Sequence, residues 1–232
     1  MPSNPIAIIA AMQPELDALQ QQLCDAQHIT IGSIHVYQGR LADKPVVLAL
    51  SGIGKVNAAM TAAMLIERFQ PQALINTGSA GGLREGLLVG DVVIGAETAH
   101  HDVDVTAFGY VPGQVPQLPA RYAADEALMQ AAERAAVAFT GATIGRGLIV
   151  SGDQFIHDSA RIAAIKANFA DVAAVEMEAA AIAQVCWQQS VPFVVIRAIS
   201  DNGDESASVS FDAFLQTAGR HSAQMVMAML AA

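Results

Sequence analysis

Apolar residues along the chain follow two periods. Short runs that are β-branched or apolar and bounded by turn residues predict strands over Ile6–Met12, Val46–Ser51, Ala73–Thr77, Val92–Ala96, Gly147–Ser151, Val172–Val175 and Phe193–Ile199. Between most of these the spacing becomes helical. It is clearest over Lys55–Phe69, Asp125–Val137, Ala160–Asn168, Ala179–Gln189 and Phe211–Leu230, each opened or closed by Gly, Pro, Ser or Asp at capping positions. Strands apolar on both faces need cover on both faces, so the pattern predicts an α/β fold with a largely parallel central sheet between helices. One stretch departs from it. His100 to Tyr122 carries Gly109, Pro112, Gly113, Pro116 and Pro119, too many breakers for a helix, and reads as a long ordered loop. Loops of that length in compact domains tend to be functional. No repeat, low-complexity segment or linker interrupts the chain, so residues 1–232 are expected to form a single domain.

Composition sharpens this picture. Hydrophobic residues make up 53% of the 232 and charged residues 15%, enough to bury a sizeable core under helices on both sheet faces. The net charge is −10, with 12 Lys+Arg against 22 Asp+Glu and no basic run, which argues against nucleic acid as a partner. Cys24 and Cys186 lie in segments of helical periodicity without CxxC or metal-like spacing and read as free thiols of a reducing compartment. Ile6–Met12 is too short to cross a bilayer and no basic segment precedes it, so neither a signal peptide nor a membrane anchor is expected, and the cytoplasm is the expected location.

Polar residues concentrate just past the strands, where ligands bind in α/β sheets because loops and helix N-termini gather there. The segments Met12-Gln-Pro-Glu15, Ser51-Gly-Ile-Gly54, Thr77-Gly-Ser-Ala-Gly-Gly82, Ser151-Gly-Asp-Gln-Phe155, Glu176-Met-Glu178 and Ser200-Asp201 supply glycine-bearing turns, hydroxyls and carboxylates. Gly52-Ile-Gly54-Lys55-Val-Asn57 lacks the third glycine of a dinucleotide fingerprint and does not follow the first strand. Thr77–Gly82 is not the G-x-S-x-G elbow of a nucleophilic serine, and its glycines suit close approach of a ligand. Alternation along a strand sends His100 and His101 to opposite faces, so loop-ordering hydrogen bonds are expected of them instead of a shared metal. Neither a metal nor a cofactor is expected. Asp153 reads as the cap of the helix that follows it. Glu176 and Glu178 end an apolar strand where an unpaired charge is expensive to bury, and their matching direction suggests a polar ligand between them.

Seven segments, in order and at compatible spacing over nearly the whole chain, carry a resemblance: Ala11-Met-Gln-Pro-Glu15, Ser51-Gly-Ile-Gly-Lys55, Asn76-Thr-Gly-Ser-Ala-Gly-Gly82, Asp104-Val-Thr-Ala-Phe-Gly-Tyr110, Gly147-Leu-Ile-Val-Ser-Gly-Asp153, Val175-Glu-Met-Glu-Ala179 and Arg197-Ala-Ile-Ser-Asp201. The set resembles the 5′-methylthioadenosine/S-adenosylhomocysteine nucleosidase family, within the nucleoside phosphorylase superfamily, more than its phosphorylase relatives. The resemblance implies a single-domain three-layer α/β sandwich with a mixed central sheet, a homodimer, and hydrolysis of the N-glycosidic bond of an adenine nucleoside with a 5′ thioether. It also implies roles. Asp201 would protonate adenine N7, Glu15 would position and deprotonate the attacking water, and Glu178 with the Met177 backbone would bind the ribose hydroxyls. Phe155 would stack on adenine while the Ile156 backbone reads its Watson–Crick edge. Ser79, Gly81, Glu176 and Arg197 would line the water and ribose region, with Ser200 beside Asp201. Met12, Ile53 and Phe211 would hold the thio group, closed over by Val105, Phe108 and Pro116 of a partner chain. The sequence departs from the family pattern at Pro14, at Gln154 and at Asn202-Gly203-Asp204, and the last two touch the adenine pocket.

The chemistry fits these residue types. Breaking a ribosyl bond to a purine builds positive charge on the sugar and negative charge on the base, so one carboxyl must donate a proton and another must hold water opposite it. A purine N7 is farther from C1′ than a glycosidic oxygen, so Glu15 and Asp201 should be separated by at least the roughly 6.5–9.5 Å of inverting glycosidases. Met and Phe side chains suit a thioether, whose sulfur is soft. Rival readings are phosphorolysis on the same fold, which a carboxylate at Glu15 opposes; hydrolysis of a related, futalosine-type nucleoside; and nucleoside binding without catalysis, in which Glu15 or Asp201 should be missing.

Overall fold

The computed structural model describes residues 4–136, 142–202 and 207–231. Val137, Gly203 and Asp204 lie outside the described residues. The strands are β1 (Ile6–Ala10), β2 (Cys24–Ile31), β3 (Ile34–Leu41), β4 (Lys44–Leu50), β5 (Ala73–Gly82), β6 (Val92–His100), β7 (Tyr122–Ala123), β8 (Ile144–Ser151), β9 (Val172–Glu176) and β10 (Phe193–Asp201). The helices are α1 (Gln13–Gln20), α2 (Lys55–Phe69), α3 (Glu126–Ala136), α4 (Ser159–Asn168), α5 (Ala179–Gln188) and α6 (Ala207–Ala231), with one 3₁₀ turn at Thr106–Phe108.

All ten strands join one mixed sheet. β1 sits between β4 and β5, parallel to both, and its Ala7–Ala10 stretch is completely buried, as expected of a strand apolar on both faces. Beyond β4 the sheet ends in the antiparallel strands β3 and β2. On the other side it closes on itself: β5 pairs with β10, β10 with β6, β6 with β8, β8 with β9, and β9 returns to β5 at Gly81 and Gly82. The helices cover this sheet in two groups, α1, α3 and α6 packing together and α2 packing on α5. Among the described residues no helix is long and apolar enough to cross a membrane.

Several expectations need correction. Cys24 opens strand β2 instead of lying in a helix; β2 is mostly exposed, so it lacks the apolar signature of a buried strand. The glycine-rich segment Thr77–Gly82 is not a turn but the second half of β5, buried at every position. At two of its glycines a Cβ would meet another side chain, Glu15 Oε1 at 2.8 Å from Gly78 and Ile199 Cγ2 at 3.0 Å from Gly82. The helix α1, the hairpin β2–β3 and the short β7 carry no expectation from the pattern. The segment from His101 to Arg121 contains only the single 3₁₀ turn, so the expected long loop is present.

Candidate active site

The carboxyl ends of β1, β5, β9 and β10 surround a cavity of about 310 Å³, in the range of small-molecule sites. Its lining is mostly apolar, with carboxyl groups from Glu15, Glu176, Glu178 and Asp201.

Glu15 enters from α1. Met12 is the N-cap, Pro14 stands in the first turn where a missing N–H costs nothing, and Glu15 at the third position folds back toward the cap. One carboxylate oxygen accepts from the backbone N–H groups of Ala11 and Met12, both at 3.1 Å, and the other from the backbone N–H and Oγ of Ser79, both at 2.9 Å. Those donors fix a side chain that is only 2% exposed. The approach requires Gly78: a Cβ there would lie 2.8 Å from Glu15 Oε1. Sixty-odd residues thus separate Glu15 from the strand that holds it, and the glycines of β5 are the reason the two can meet.

Asp201 is the last residue of β10, 3% exposed, and its Oδ2 accepts from Ser200 Oγ at 2.8 Å. Glu176 ends β9. Glu178 lies two residues beyond it as the N-cap of α5, so the strand alternation inferred for the pair stops at Glu176. Glu176 accepts from Ser151 Oγ, from the backbone N–H groups of Glu178 at 3.0 Å and Ala179 at 2.9 Å, and from Arg197 Nη2 at 2.6 Å. Burial alone would raise its pKa, but Arg197 and these hydrogen bonds outweigh burial and hold the carboxyl below its ordinary value. Glu178 has fewer donors, one from the Gly54 N–H at 2.9 Å, and Arg197 stays 3.9 Å away. Burial, reinforced by the negative charge of Glu176, pushes the Glu178 carboxyl up to about 8.

Arg197 is not on the cavity wall. It is buried behind Glu176, its Nη2 shared between Asn76 Oδ1 and Glu176 Oε2 at 2.6 Å each. The other residues expected to form the pocket all line it: Met12, Ile53 and Phe211, Phe155, Ile156 and Met177, Gly81, and Ser79 and Ser200, which bond Glu15 and Asp201. Phe155 and Phe211 meet edge to face, ring centroids 5.7 Å apart, and Phe155 stays 41% exposed. Gln154, expected to touch the pocket, also faces the cavity, and so does Val175, which carried no signal beyond its place at a strand end. Val105, Phe108 and Pro116 do not reach the wall within this chain, and Phe108 is 81% exposed.

Asp153 does cap a helix, but not the one after it. Its Oδ1 accepts from the Lys55 N–H at 2.7 Å, the first residue of α2, while Asp158 caps α4 through the Arg161 N–H at 2.8 Å. His100 meets Gln184 at 3.0 Å, and the His101 ring lies against Gly152.

The fold joins a mixed, partly closed sheet to a carboxylate-lined cavity at the strand ends, as an α/β enzyme does. The sequence signature of the phosphorylase superfamily matches residues 5–231. A 5′-methylthioadenosine/S-adenosylhomocysteine nucleosidase of Anoxybacillus flavithermus is 54% identical over 225 residues, 97% of each chain. The crystal structure of such a nucleosidase from Neisseria meningitidis, in complex with methylthio-immucillin-A, is 56% identical with a TM-score of 0.97, covering 98% of this chain and 99% of that one. A futalosine hydrolase of Helicobacter pylori is 34% identical with a TM-score of 0.92, covering 97% of both chains. The chain belongs to the phosphorylase superfamily and, within it, to the 5′-methylthioadenosine/S-adenosylhomocysteine nucleosidase family.

Proposed function

We propose that this chain hydrolyses the N-glycosidic bond of 5′-methylthioadenosine and S-adenosylhomocysteine, releasing adenine and the 5-thioribose product. The observation that carries the reading is a pair of buried carboxyl groups, Glu15 and Asp201, on one cavity whose lining is mostly apolar. In this reaction the C1′–N9 bond breaks with its electron pair going to the purine, and Asp201 gives N7 a proton. Water bonds to C1′ from the other side and loses a proton to Glu15. Glu178 and the Met177 backbone hold the ribose hydroxyls, with Ser79, Gly81 and Glu176 around them and Ser200 beside Asp201. Phe155 stacks on adenine, the Ile156 backbone reads its edge, and Met12, Ile53 and Phe211 receive the thioether. Arg197 serves through Glu176. No cofactor or metal enters the scheme.

The exposed Phe108, with Val105 and Pro116 on the same loop, supports a homodimer in which each subunit closes the other's site, since a lone chain rarely leaves such a surface open. We place the protein, a single domain of 232 residues, in the cytoplasm. The test is incubation with methylthioadenosine in phosphate-free buffer, with a futalosine-type nucleoside in parallel. Free adenine without phosphate is expected from the first. Release that requires phosphate would mean phosphorolysis, and faster cleavage of the second nucleoside would move the substrate assignment.

A further inference from the structure

Beside the cavity three charged residues from three distant segments close a ring. Lys55 opens α2, Asp102 follows β6 and Asp153 follows β8. The Lys55 Nζ donates to Asp102 Oδ1 at 2.5 Å, the Asp153 N–H to Asp102 Oδ2 at 2.9 Å, and the Lys55 N–H to Asp153 Oδ1 at 2.7 Å. The ion pair is largely enclosed, with the Lys55 and Asp102 side chains 18% and 14% exposed, so its geometry is better defined than that of a surface pair. Burial alone would raise Asp102, yet Lys55 and the Asp153 N–H together hold its carboxyl below the usual value.

What the ring touches gives it a role. Asp153 lies two residues before Phe155 and three before Ile156, both on the cavity wall. The residue before Lys55 is Gly54, whose N–H donates to Glu178. Gly54 has φ +99°, and a Cβ there would lie 3.1 Å from Asp153 Oδ1, so the close turn between the ring and Glu178 suits glycine alone. The ring thus fixes the root of the loop that carries Phe155, and fixes it relative to the turn that holds Glu178.

We propose that Lys55 and Asp102 are positioning residues for base recognition: they lock Asp153, and through it the Phe155–Ile156 wall, in the orientation that receives adenine. This deepens the nucleosidase reading and rests on it. Neither side chain lines the cavity, so their effect is expected in binding of the base and not in the proton transfers.

The test uses Lys55→Met, which keeps the aliphatic stem and the N–H to Asp153, together with Asp102→Asn and the double variant. Readouts are calorimetric binding of free adenine, inhibition by methylthioribose, and kcat and KM for methylthioadenosine. Loss of one charged hydrogen bond from a shared network should weaken adenine binding about tenfold and raise KM alike. The kcat should fall less than KM rises, and methylthioribose inhibition should stay as in wild type. If the pair works as a unit, the double variant is no worse than the weaker-binding single one. Equal weakening of adenine and methylthioribose, or unchanged ligand binding with only a lowered melting point, would overturn the proposal, because a purely structural pair predicts either. If the wild-type protein binds no adenine, the nucleosidase reading itself falls and takes this inference with it; wild-type binding that the variants retain in full refutes the inference alone.

Discussion

Replacing Glu178 with Gln removes a carboxyl without changing its shape, and the structure predicts what that does to stability. The Glu178 pKa rises from an ordinary 4.5 to about 8, mainly through burial and then through Glu176. A carboxyl with a raised folded-state pKa binds more protons folded than unfolded between those values. Stability is therefore full below about pH 4.5 and is lost as pH climbs toward 8, and above that the loss is complete. At about 1.4 kcal/mol per pH unit, the whole span corresponds to about 5 kcal/mol, comparable to the net stability of many domains. Even half of that moves the thermal midpoint by roughly 5 °C in a chain of this size. Glutamine carries no charge at any pH, so Glu178→Gln should melt with wild type near pH 5 and well above it at pH 9. The measurement is thermal unfolding of substrate-free protein across that range at one protein concentration, so that self-association contributes equally throughout. A difference between the two proteins that stayed constant with pH would refute the reasoning, since Glu178 would then be ionised in the fold already.

Other outcomes follow from the same geometry. Asp201→Asn should bind adenine nucleosides normally while kcat falls by roughly 10²–10⁴, the usual worth of a positioned general acid; a nucleoside whose base leaves without N7 protonation should lose far less. Glu15→Gln should keep ligand affinity while turnover collapses, and equal loss of both would make Glu15 a binding residue. Gly78→Ala places a methyl 2.8 Å from Glu15 Oε1 and should cut kcat at least tenfold with the melting point changed by only a few degrees; unchanged kcat would show that Glu15 has room to move. Phe108→Asp should shift light scattering from dimer toward monomer and lower activity with it, and a fully active monomer would dismiss the shared site.

Much of the scaffold was legible because burial writes itself into the chain. β1, β4, β9 and β10 are apolar on both faces, and α2 and α5 carry apolar positions at helical spacing, so each announces itself. The exposed β2 has no such pattern, and the eight residues of α1 turn a glutamate inward where periodicity expects an apolar side chain. In β5 the composition misleads, since Gly78, Gly81 and Gly82 look like a turn and belong to a buried strand, where Gly78 leaves room for Glu15 and Gly82 for Ile199. Asp153 shows a different limit. Its chemistry as a cap was readable, but its partner lies 98 positions away on another helix, a pairing set by the closed sheet and by nothing local.

Arg197 carries this limit to the chemistry of the site. On the sequence it is a cation on a strand that ends at the proposed general acid, and a direct contact with ligand is the natural reading. In the fold it acts at one remove and in two opposing senses. From 3.9 Å it attracts the charge of Glu178, which favours ionisation there. By pairing with Glu176 at 2.6 Å it also keeps that neighbour anionic, which disfavours ionisation of Glu178. The repulsion from Glu176 exceeds the attraction from Arg197, and burial exceeds both, so Glu178 stays protonated near neutral pH. In the proposed complex Glu178 would meet the ribose hydroxyls as a carboxylic acid, able to give one hydrogen bond and accept another, whereas an ionised Glu178 could only accept. Burial sets the hydrogen-bonding character of Glu178, and the buried arginine modulates it directly and through Glu176 without a hydrogen bond to it.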